Sequence, residues 1–448
     1  MAMKKKVLQI ALLVAAVAAS LCSCSRTEEL LATVPATGQG VIAVNIESVA
    51  AACGFEFKDT TLTVPASLRL PADSRAKIET VLPKLREAID ISDVVISTVD
   101  SRNVFATFLL KDQEILRKLL TENGASALGD RDGFDAYGFD GGLTIYIGDG
   151  QGWAINGSDS YTPKSILAEV KKGNFKEEYP EVSSFISENK MISIAATGRA
   201  MNLAADRWVC ADIQTKNNDI LIKGRSIDAD GKVIVNSSLK GLDASALALV
   251  PDNAAIVLAA GLTKDIDWNS ILVIGALAGG FQTGGMLESV IPYISKTDGT
   301  IELAATPVNS DAWIAPSIIN WDFVFAAQMN AADGASAVKA ARDYLGGMFA
   351  VTDIDNGFVA GMQGLRFRVT SADGIFSIVK GDVKHGADMK KFSGDRLVVK
   401  ADIPRGVLLR NGGLSVVSVT GESDTEMTIS MPGSGVPLLQ AVLEEIFR

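Results

Sequence analysis

Short runs of apolar residues alternate along the chain with segments in which apolar residues recur at helical spacing. Residues 104–110 form one such run, typical of a buried strand, and the segment 111–120 places Ile115, Leu116 and Leu119 on one side of a helix. Neighbouring strand-like runs are joined by short turns rather than by helical crossovers, as in antiparallel sheets. The pattern predicts an α+β protein with mainly antiparallel sheets and helices packed on one face.

A hairpin pattern at residues 134–155, FDAYGFDGGLTIYIGDGQGWAI, recurs at residues 358–378 as FVAGMQGLRFRVTSADGIFSI. The turns Gly148-Asp149-Gly150 and Ala372-Asp373-Gly374 contain the residues that tolerate the positive φ of tight hairpins. Each copy also follows an acidic turn. The repetition indicates a duplicated strand arrangement, and it favours a scaffold role for these residues over a catalytic one.

The correspondence continues in the same order through both halves of the chain. The matching segments are 41–46 and 256–260, 93–99 and 300–305, 104–110 and 323–329, 191–196 and 397–401, and the hairpins 220–227 with 232–239 and 415–420 with 426–431. We therefore predict two tandem related domains, residues 33–245 and 246–448. The first half carries insertions near 160–190 and 201–218. A C-terminal apolar stripe behind Pro437 predicts a helix that closes the second domain.

The N-terminus has the pattern of a secretory leader: lysines at positions 4–6 precede an apolar run at 7–21 that is too short to span a membrane. The run ends in Leu21-Cys22-Ser23-Cys24, which resembles a bacterial lipobox. We expect residues 1–23 to be a lipoprotein signal peptide, Cys24 to be acylated and 24–32 to be a lipid tether. Cys22 fits less well as the acceptor, because Leu21 would occupy the position of a small residue. Ordinary signal-peptidase cleavage with both cysteines unmodified is the alternative.

Multiple acylation at Cys24 would anchor the protein stably in a membrane. Ser25 after the cysteine is compatible with sorting to the outer membrane, and the sequence leaves the periplasmic and surface faces open. The longest later apolar stretch, 271–281, has about half the length of a membrane-spanning helix. We therefore expect a protein of the cell envelope that is held by its N-terminal lipid.

The composition of the 448 residues, 48% hydrophobic and 21% charged, is that of a folded protein with more than one core. The formal net charge of -11 disfavours nucleic acid as a partner. His385 is the single histidine, so a histidine-rich metal site is excluded, and no G-x-S-x-G nucleophile motif occurs. We assign no catalytic residue and no cofactor, and His385 is expected in a surface loop.

Four aspartates in the two acidic turns are weak candidates for a calcium site, because hard cations take several oxygen ligands from a compact loop. They are Asp130, Asp132, Asp353 and Asp355. The full calcium-loop spacing is missing, and aspartate is also a common turn former, so turn chemistry is the simpler interpretation. Cys53 and Cys210 are the two thiols beyond the leader. They are either a disulfide, as an envelope compartment permits, or two buried free thiols.

The second half differs from the first at 271–281, where an apolar stretch replaces the polar segment 60–76. It predicts either a buried helix or an exposed flap that contacts lipid or a partner. The glycine-rich segment 279–285 that follows lacks the Lys-Ser/Thr of a phosphate-binding loop. The five tryptophans are scattered, and Trp153 aligns with Phe376, which indicates core packing rather than a sugar-binding platform.

A lipobox leader followed by a Val-Pro turn, a buried strand and a twofold repeat resembles the uncharacterised two-repeat lipoproteins of Bacteroidetes. The resemblance implies no catalytic residues. We expect a non-enzymatic envelope lipoprotein that binds an unknown protein or other envelope ligand. The alternatives are a carboxylate- or cation-dependent hydrolase and a glycan-binding accessory lipoprotein. Carboxylates clustered in one cleft would favour the hydrolase, an exposed aromatic strip would favour glycan, and a broad apolar patch would favour a protein partner.

Overall fold

The computed structural model describes residues 26–446 except 59, 100–102, 189, 202–205, 265–291, 315, 316, 318, 363, 382 and 411. The described chain forms two compact units. The first contains the residues up to Ile234 together with those from Gly433 onward, and the second contains Val235–Pro432. The first unit is therefore discontinuous in sequence, unlike the predicted division at residue 245.

Ten antiparallel strands form the sheet of the first unit. They are β1 (Gly40–Val44), β4 (Ile89–Thr98), β5 (Val104–Leu110), β6 (Ser126–Arg131), β7 (Phe134–Gly138), β8 (Leu143–Ile147), β9 (Gln151–Asn156), β10 (Ile192–Thr197), β11 (Arg207–Lys216) and β12 (Asp219–Asp228). A separate small hairpin consists of β2 (Glu56–Lys58) and β3 (Thr61–Thr63), which pair only with each other. The pairings within the unit give the order β6-β7-β8-β9-β5-β4-β1-β10-β11-β12. Short turns join most neighbours, as the sequence pattern predicts.

Helices cover both faces of this sheet. They are α1 (Thr27–Leu31), α2 (Ile46–Ala52), α3 (Ala72–Ala88), α4 (Gln113–Glu122), α5 (Pro163–Val170), α6 (Phe175–Glu178) and α7 (Pro180–Ser187). One face buries a core around Leu82 and Phe108 under α2 to α4, and the other buries Trp153 and Phe175 under α1 and α5 to α7. The prediction of helices on one face was wrong for this unit, because the inserted segment 160–190 supplies the helices of the second face.

The sheet of the second unit has the same strand order, position by position. Its strands are β13 (Ile256–Gly261), β14 (Thr300–Pro307), β15 (Trp321–Gln328), β16 (Ala350–Ile354), β17 (Gly357–Met362), β18 (Leu365–Ala372), β19 (Ile375–Lys380), β20 (Leu397–Ile403), β21 (Leu414–Thr420) and β22 (Asp424–Ser430). Their order is β16-β17-β18-β19-β15-β14-β13-β20-β21-β22. The hairpins predicted at 358–378 and 415–431 are among them.

Two helices of the second unit lie wholly within the described residues: α8 (Ala244–Leu247) and α9 (Ala331–Gly346). The apolar side of α9 packs on a core that includes Phe358 and Phe376. On the opposite face, α8 and the 3₁₀ segment Asp388–Phe392 bury Leu247 and Met389 against the sheet. Helical cover on this second face is thus smaller than in the first unit, within the part of the chain that the structure describes.

The hairpin predicted from 220–227 and 232–239 forms only next to its turn, where Ile227 bridges Val233 and the Ile234 N–H donates to the Ser226 carbonyl oxygen at 2.8 Å. The extended partner of β12 is the preceding β11, with which it pairs along its whole length. The turn between them is Asn217-Asn218, with φ of 52° and 72°, the left-handed region that asparagine tolerates. The predicted insertion at 201–218 therefore contains a regular strand. The predicted turn at 228–231 is formed, since the Gly231 N–H donates to the Asp228 carbonyl oxygen at 3.1 Å, but only a single bridge at Val233 follows it instead of a strand.

The C-terminal helix α10 (Leu438–Ile446) packs in the first unit, although the sequence predicted that it would close the second. Leu439 and Leu443 contact the core beneath α3. Gln440 donates from Nε2 to the Ser67 hydroxyl at 2.8 Å, and a Glu444 carboxylate oxygen accepts from the Arg69 N–H at 2.8 Å. These two buried polar contacts fix the position of the helix in a way that its apolar stripe alone did not reveal.

Candidate functional site

The described chain starts at Arg26, directly before α1. The N–H of Arg26 donates to Asp93 Oδ2 at 3.0 Å, and the Thr27 hydroxyl donates to the same carboxylate. A carboxylate at this position accepts hydrogen bonds from groups that the start of a helix leaves unpaired. Its negative charge also interacts favourably with the helix dipole. Leu30 is fully buried, and so is the residue after it. Residues 27–31, which the sequence assigned to a lipid tether, therefore form a helix that buries Thr27, Leu30 and Leu31 and leaves two glutamates exposed.

The four candidate calcium ligands are Asp130, Asp132, Asp353 and Asp355, and three of them have partners within their own unit. Asp130 accepts from the Gly133 N–H at 3.2 Å, which is ordinary turn bonding. Asp132 forms an ion pair with Lys164 at 3.0 Å, and Asp353 forms one with Arg342. Within the described residues, no three His, Cys, Asp or Glu side chains are arranged to hold a metal ion.

Cys53 and Cys210 are both buried and free. Cys53 belongs to the core on one face of the first sheet and Cys210 to the core on the other face. The candidate disulfide is therefore not formed, because the sheet lies between the two thiols. Burial raises the pKa of each thiol to about 12, so both stay protonated and unreactive near neutral pH.

The histidine and the tryptophans do not form a binding platform in the described part of the chain. His385 is exposed, and its Nδ1 lies 3.1 Å from the Leu249 carbonyl oxygen. Trp153, Trp208 and Trp321 are buried, and Trp313 packs edge-on against Trp321. Trp268 lies outside the described residues. No exposed aromatic strip of the kind that would favour glycan is formed by the four described tryptophans.

The apolar stretch 271–281 and the glycine-rich segment 279–285 also lie outside the described residues. The predicted flap is therefore neither placed nor excluded by the structure. None of the helices in the described chain combines the length and the apolar composition that crossing a bilayer requires.

Glu302 is a buried carboxyl in the middle of β14. Its side chain is 1% exposed, and neither carboxylate oxygen has a hydrogen-bond partner among the described residues. Strand pairing places Ala259 and Ala326 beside it. Burial raises the pKa of the Glu302 carboxyl to about 8, because ionisation in an apolar surrounding is costly.

Comparison of the two units shows that Glu302 is a departure from a shared plan. β1 and β13 occupy the same place in their sheets, and the spacing from Pro35 to Val41 equals that from Pro251 to Val257. On this alignment Glu302 takes the position of Val95, which lies in the apolar core of the first unit. A buried carboxyl at this strand position is therefore particular to the second unit.

The same alignment relates the starts of α1 and α8. In the first unit Thr27 lies on the helix and Asp93 on the strand. In the second unit Asp243 precedes the helix, and its N–H donates to the hydroxyl of Thr300 on the strand at 2.7 Å. Asp243 also caps α8 by accepting from the hydroxyl and the N–H of Ser245, and this bonding lowers the pKa of its carboxyl. The threonine and the aspartate have exchanged places between the units.

The most exposed large apolar side chains of the described chain lie together in the second unit. The six highest are Ile314 at 81%, Ile319 at 65%, Met362 at 62%, Leu408 at 60%, Val308 at 56% and Met348 at 52% exposed. They lie in four connecting segments, whose described residues are 308–314, 317, 319 and 320; 347–349; 362, 364 and 365; and 404–410, 412 and 413. We call these loops the apolar fringe.

The apolar fringe occupies one end of the second sheet. The strand pairings next to its loops are Pro307 with Trp321, Ala350 with Gly361, Met362 with Leu365 and Ile403 with Leu414. The registers across the sheet place these pairs at the same end. The hairpins β17–β18, β14–β15 and β20–β21 are spaced at equal intervals in the strand order, so their tips extend over about 30 Å at a strand spacing of about 4.8 Å.

The fringe also differs in charge from the rest of the chain. Its loops contain one acid, Asp311, and two arginines, Arg405 and Arg410, whereas the whole chain has a formal net charge of -11. The exposed Arg366 follows the loop 362–365 directly. The loop of the first unit that corresponds to 308–320 is the short polar segment 99–103. The fringe is therefore apolar with a small positive charge, and it is a property of the second unit.

Sequence reasoning missed both Glu302 and the fringe. A charged residue within the apolar run 301–305 was visible, and the half-to-half alignment would have set it against Val95. The fringe residues stand among Gly, Pro, Ser and Asn, a composition that indicates loops. Apolar residues within such loops were the available signal. That the loops share one end follows only from the strand order.

Comparison with protein-family models and with curated proteins gives no match. Among solved structures, the chain is similar to crystal forms I, III and IV of TP0453, with sequence identities of 10%, 9% and 9% and TM-scores of 0.28, 0.31 and 0.30. The matches cover 44%, 46% and 45% of this chain and 78%, 81% and 83% of those chains. Similarity at these TM-scores supports no inference about function.

Proposed function

We propose that the protein is a lipid-anchored protein of the bacterial cell envelope, in the outer membrane, and that it binds a partner surface without catalysing a reaction. Two tandem related α+β domains would make up the part that follows Cys24. The shared strand order and the exchanged Thr27–Asp93 and Asp243–Thr300 pairs support the duplication. Two unrelated domains would not be expected to pair a threonine with an aspartate at the same two positions.

The observation that carries the anchoring proposal is the start of α1. Acylation at Cys24 would leave Ser25 and Arg26 as the whole spacer, because Thr27 and the residues after it belong to the helix. Two extended residues span about 7 Å. The Asp93 contacts hold this end of the fold in place. Such an arrangement suits a protein whose first domain stays at the membrane surface.

The observation that favours a binding role is the apolar fringe. Side chains such as Ile314 and Leu408 remain exposed although the unit has its own core. Concentrated exposure of large apolar groups is typical of interaction sites on soluble domains. The fringe residues contain no acid–base pair, so their chemistry suits contact rather than catalysis.

Intact-mass analysis of the mature protein from envelope fractions tests the anchor. We expect an N-terminus at Cys24 with the added mass of a diacylglyceryl group and a further acyl chain. Cys24→Ala should abolish this mass and release the protein from the membrane fraction. Cys22→Ala is the matched control and should leave both unchanged. A mature chain with an unmodified Cys24 would contradict the proposal.

A further inference from the structure

We infer that the apolar fringe is a lipid-contact surface, which places its aliphatic tips in the interfacial region of a bilayer containing anionic lipids. The inference rests on the proposed function, since an anchor at Cys24 would keep the protein at a membrane. It adds the partner class, phospholipid, and the residues that meet it.

The shape of the fringe favours a bilayer over a protein partner. Protein interfaces centre on a compact, closely packed patch in which aromatic residues are enriched. The fringe instead presents isoleucine, leucine, valine and methionine on separate loops spread along one end of a sheet. Separate tips cannot bury one another, but each can enter a fluid interface independently. The described tryptophans, which could anchor a protein, are not exposed tips: Trp321 is buried, and Trp313 packs edge-on against it.

The charge of the fringe favours anionic headgroups. Arg405 and Arg410 flank the tip residues Val407 and Leu408 on the same loop, and Arg366 is exposed beside Met362. Arginine side chains near apolar tips can reach lipid phosphates while the tips enter the interface. The rest of the chain is strongly acidic and is repelled by such a surface. The charge distribution therefore selects this end of the second unit for contact.

The longest fringe loop is held at its base rather than free. The Val308 N–H donates to the Asn320 carbonyl oxygen at 2.9 Å, which closes the loop. Trp321 donates from Nε1 to the Ala312 carbonyl oxygen at 3.1 Å. Ala312 is fully buried while Ile314, two residues later, is the most exposed large apolar side chain in the described chain. The fixed base presents Ile314 outward, so its exposure is built into the fold.

Site-specific fluorescence on the mature acylated protein tests the contact. Ile314→Cys is labelled with an environment-sensitive dye, and the buried Cys53 and Cys210 thiols remain unlabelled because they are inaccessible. The protein is reconstituted in vesicles of phosphatidylcholine with or without phosphatidylglycerol. We expect a blue-shifted emission that is quenched by lipid-borne quenchers, with a stronger effect when phosphatidylglycerol is present. The matched control is Ala335→Cys on the exposed side of α9, whose label should stay in water.

A second variant removes the contact without altering the labelled site. Ile319→Asp with Leu408→Asp should lower the lipid-quenched fraction at position 314 on the order of tenfold, because two aliphatic side chains no longer leave water. Arg405→Gln with Arg410→Gln should remove only the dependence on phosphatidylglycerol. All these positions are exposed, so the fold should survive, which circular dichroism would verify.

The outcomes separate the inference from the proposed function. Protein that fails to stay with the vesicles contradicts the anchor. Anchored protein with a water-exposed label at position 314 contradicts the lipid contact alone. A blue shift that requires added envelope proteins and does not occur with lipid would overturn the inference in favour of a protein partner.

Discussion

Glu302 shows how one residue can bring pH dependence into an otherwise ordinary sheet. A valine at the equivalent place in the first unit, Val95, packs without any titratable group. In the second unit the carboxyl is 1% exposed and has no hydrogen-bond partner among the described residues. The protonated form fits this surrounding better than the carboxylate, because a neutral carboxyl loses less hydration on burial. Folding of the second unit is therefore coupled to a proton.

We predict that the free energy of unfolding of the second unit falls as the pH rises from about 4.5 to about 8. Burial raises the pKa of Glu302 from 4.5 to about 8, so within this window the folded state holds a proton that the unfolded state has released. The stabilisation is complete below pH 4.5 and is lost as the pH passes 8. The limiting slope is about 1.4 kcal/mol per pH unit.

Denaturant unfolding of Glu302→Gln across this pH range is the measurement. The glutamine keeps the shape and cannot ionise, so the difference in pH dependence between the two proteins isolates Glu302. Glu87→Gln, an exposed substitution, is the control and should follow the parent protein. Parallel pH curves for the parent and Glu302→Gln would show that this carboxyl does not carry the coupling.

At the scale of elements, the starts of α1 and α8 show two solutions to one problem. Each helix must satisfy its first N–H groups against the neighbouring strand. The first unit uses the strand carboxylate of Asp93, and the second uses Asp243 together with the strand hydroxyl of Thr300. Because the two residue types have exchanged positions, we infer that the helix start depends on the presence of the pair and not on which element carries the aspartate.

An exchange experiment tests this interpretation. Asp93→Thr should destabilise the first unit by about 1 to 2 kcal/mol, since α1 loses its capping carboxylate. Thr27→Asp should also destabilise it, because two carboxylates then lie together. The double variant recreates the arrangement of the second unit and should recover most of the loss. In equilibrium unfolding, a double variant as unstable as the sum of the singles would contradict the prediction.

The sequence was sufficient to predict the class of the fold and most strands, because most strands have their own apolar run and their own turn. It was not sufficient to fix which face a residue occupies. Trp153 was aligned with Phe376, but the strand registers place Phe376 opposite Ala327 and on the other core from Trp153. The equivalent of Phe376 is Gly152, over which the Phe108 ring packs so closely that an added Cβ would approach it to 2.2 Å. The large residue lies on β5 in the first unit and on β19 in the second, and the small residue lies on the neighbouring strand in each case. The sequence alignment of Trp153 with Phe376 was offset by one residue and therefore did not reveal this exchange.

The whole molecule adds a relation that no local pattern contains: its C-terminal helix completes the first unit. The stripe on α10 correctly indicated an amphipathic helix, but a stripe does not specify which core receives it. Gln440 and Glu444 make that choice through Ser67 and the Arg69 N–H. The apolar fringe could not be predicted for the same reason, since only the order of the strands places its loops at one end of the sheet.

We predict that removing residues 433–448 destabilises the first unit by several kcal/mol and leaves the second unit unchanged, because Leu439 and Leu443 then leave the core open. Hydrogen exchange measured by mass spectrometry reads the two units separately, with faster exchange expected in β4 and unchanged exchange in β14. Ile446→Ala is the control, since this side chain is 49% exposed. Equal loss of protection in both units would contradict the assignment of α10.

The place of α10 also sets the timing of folding. Synthesis runs from the N-terminus, so the first unit starts first, yet it lacks a core element until the last residues have emerged. The second unit is continuous in sequence, and its folding requires no residue after Pro432. The order of completion is thus the reverse of the order of synthesis. Loss of the C-terminal residues, through a premature stop codon or a protease, would consequently destabilise the first unit. This is the unit that carries the proposed anchor, far from the lost residues in the sequence.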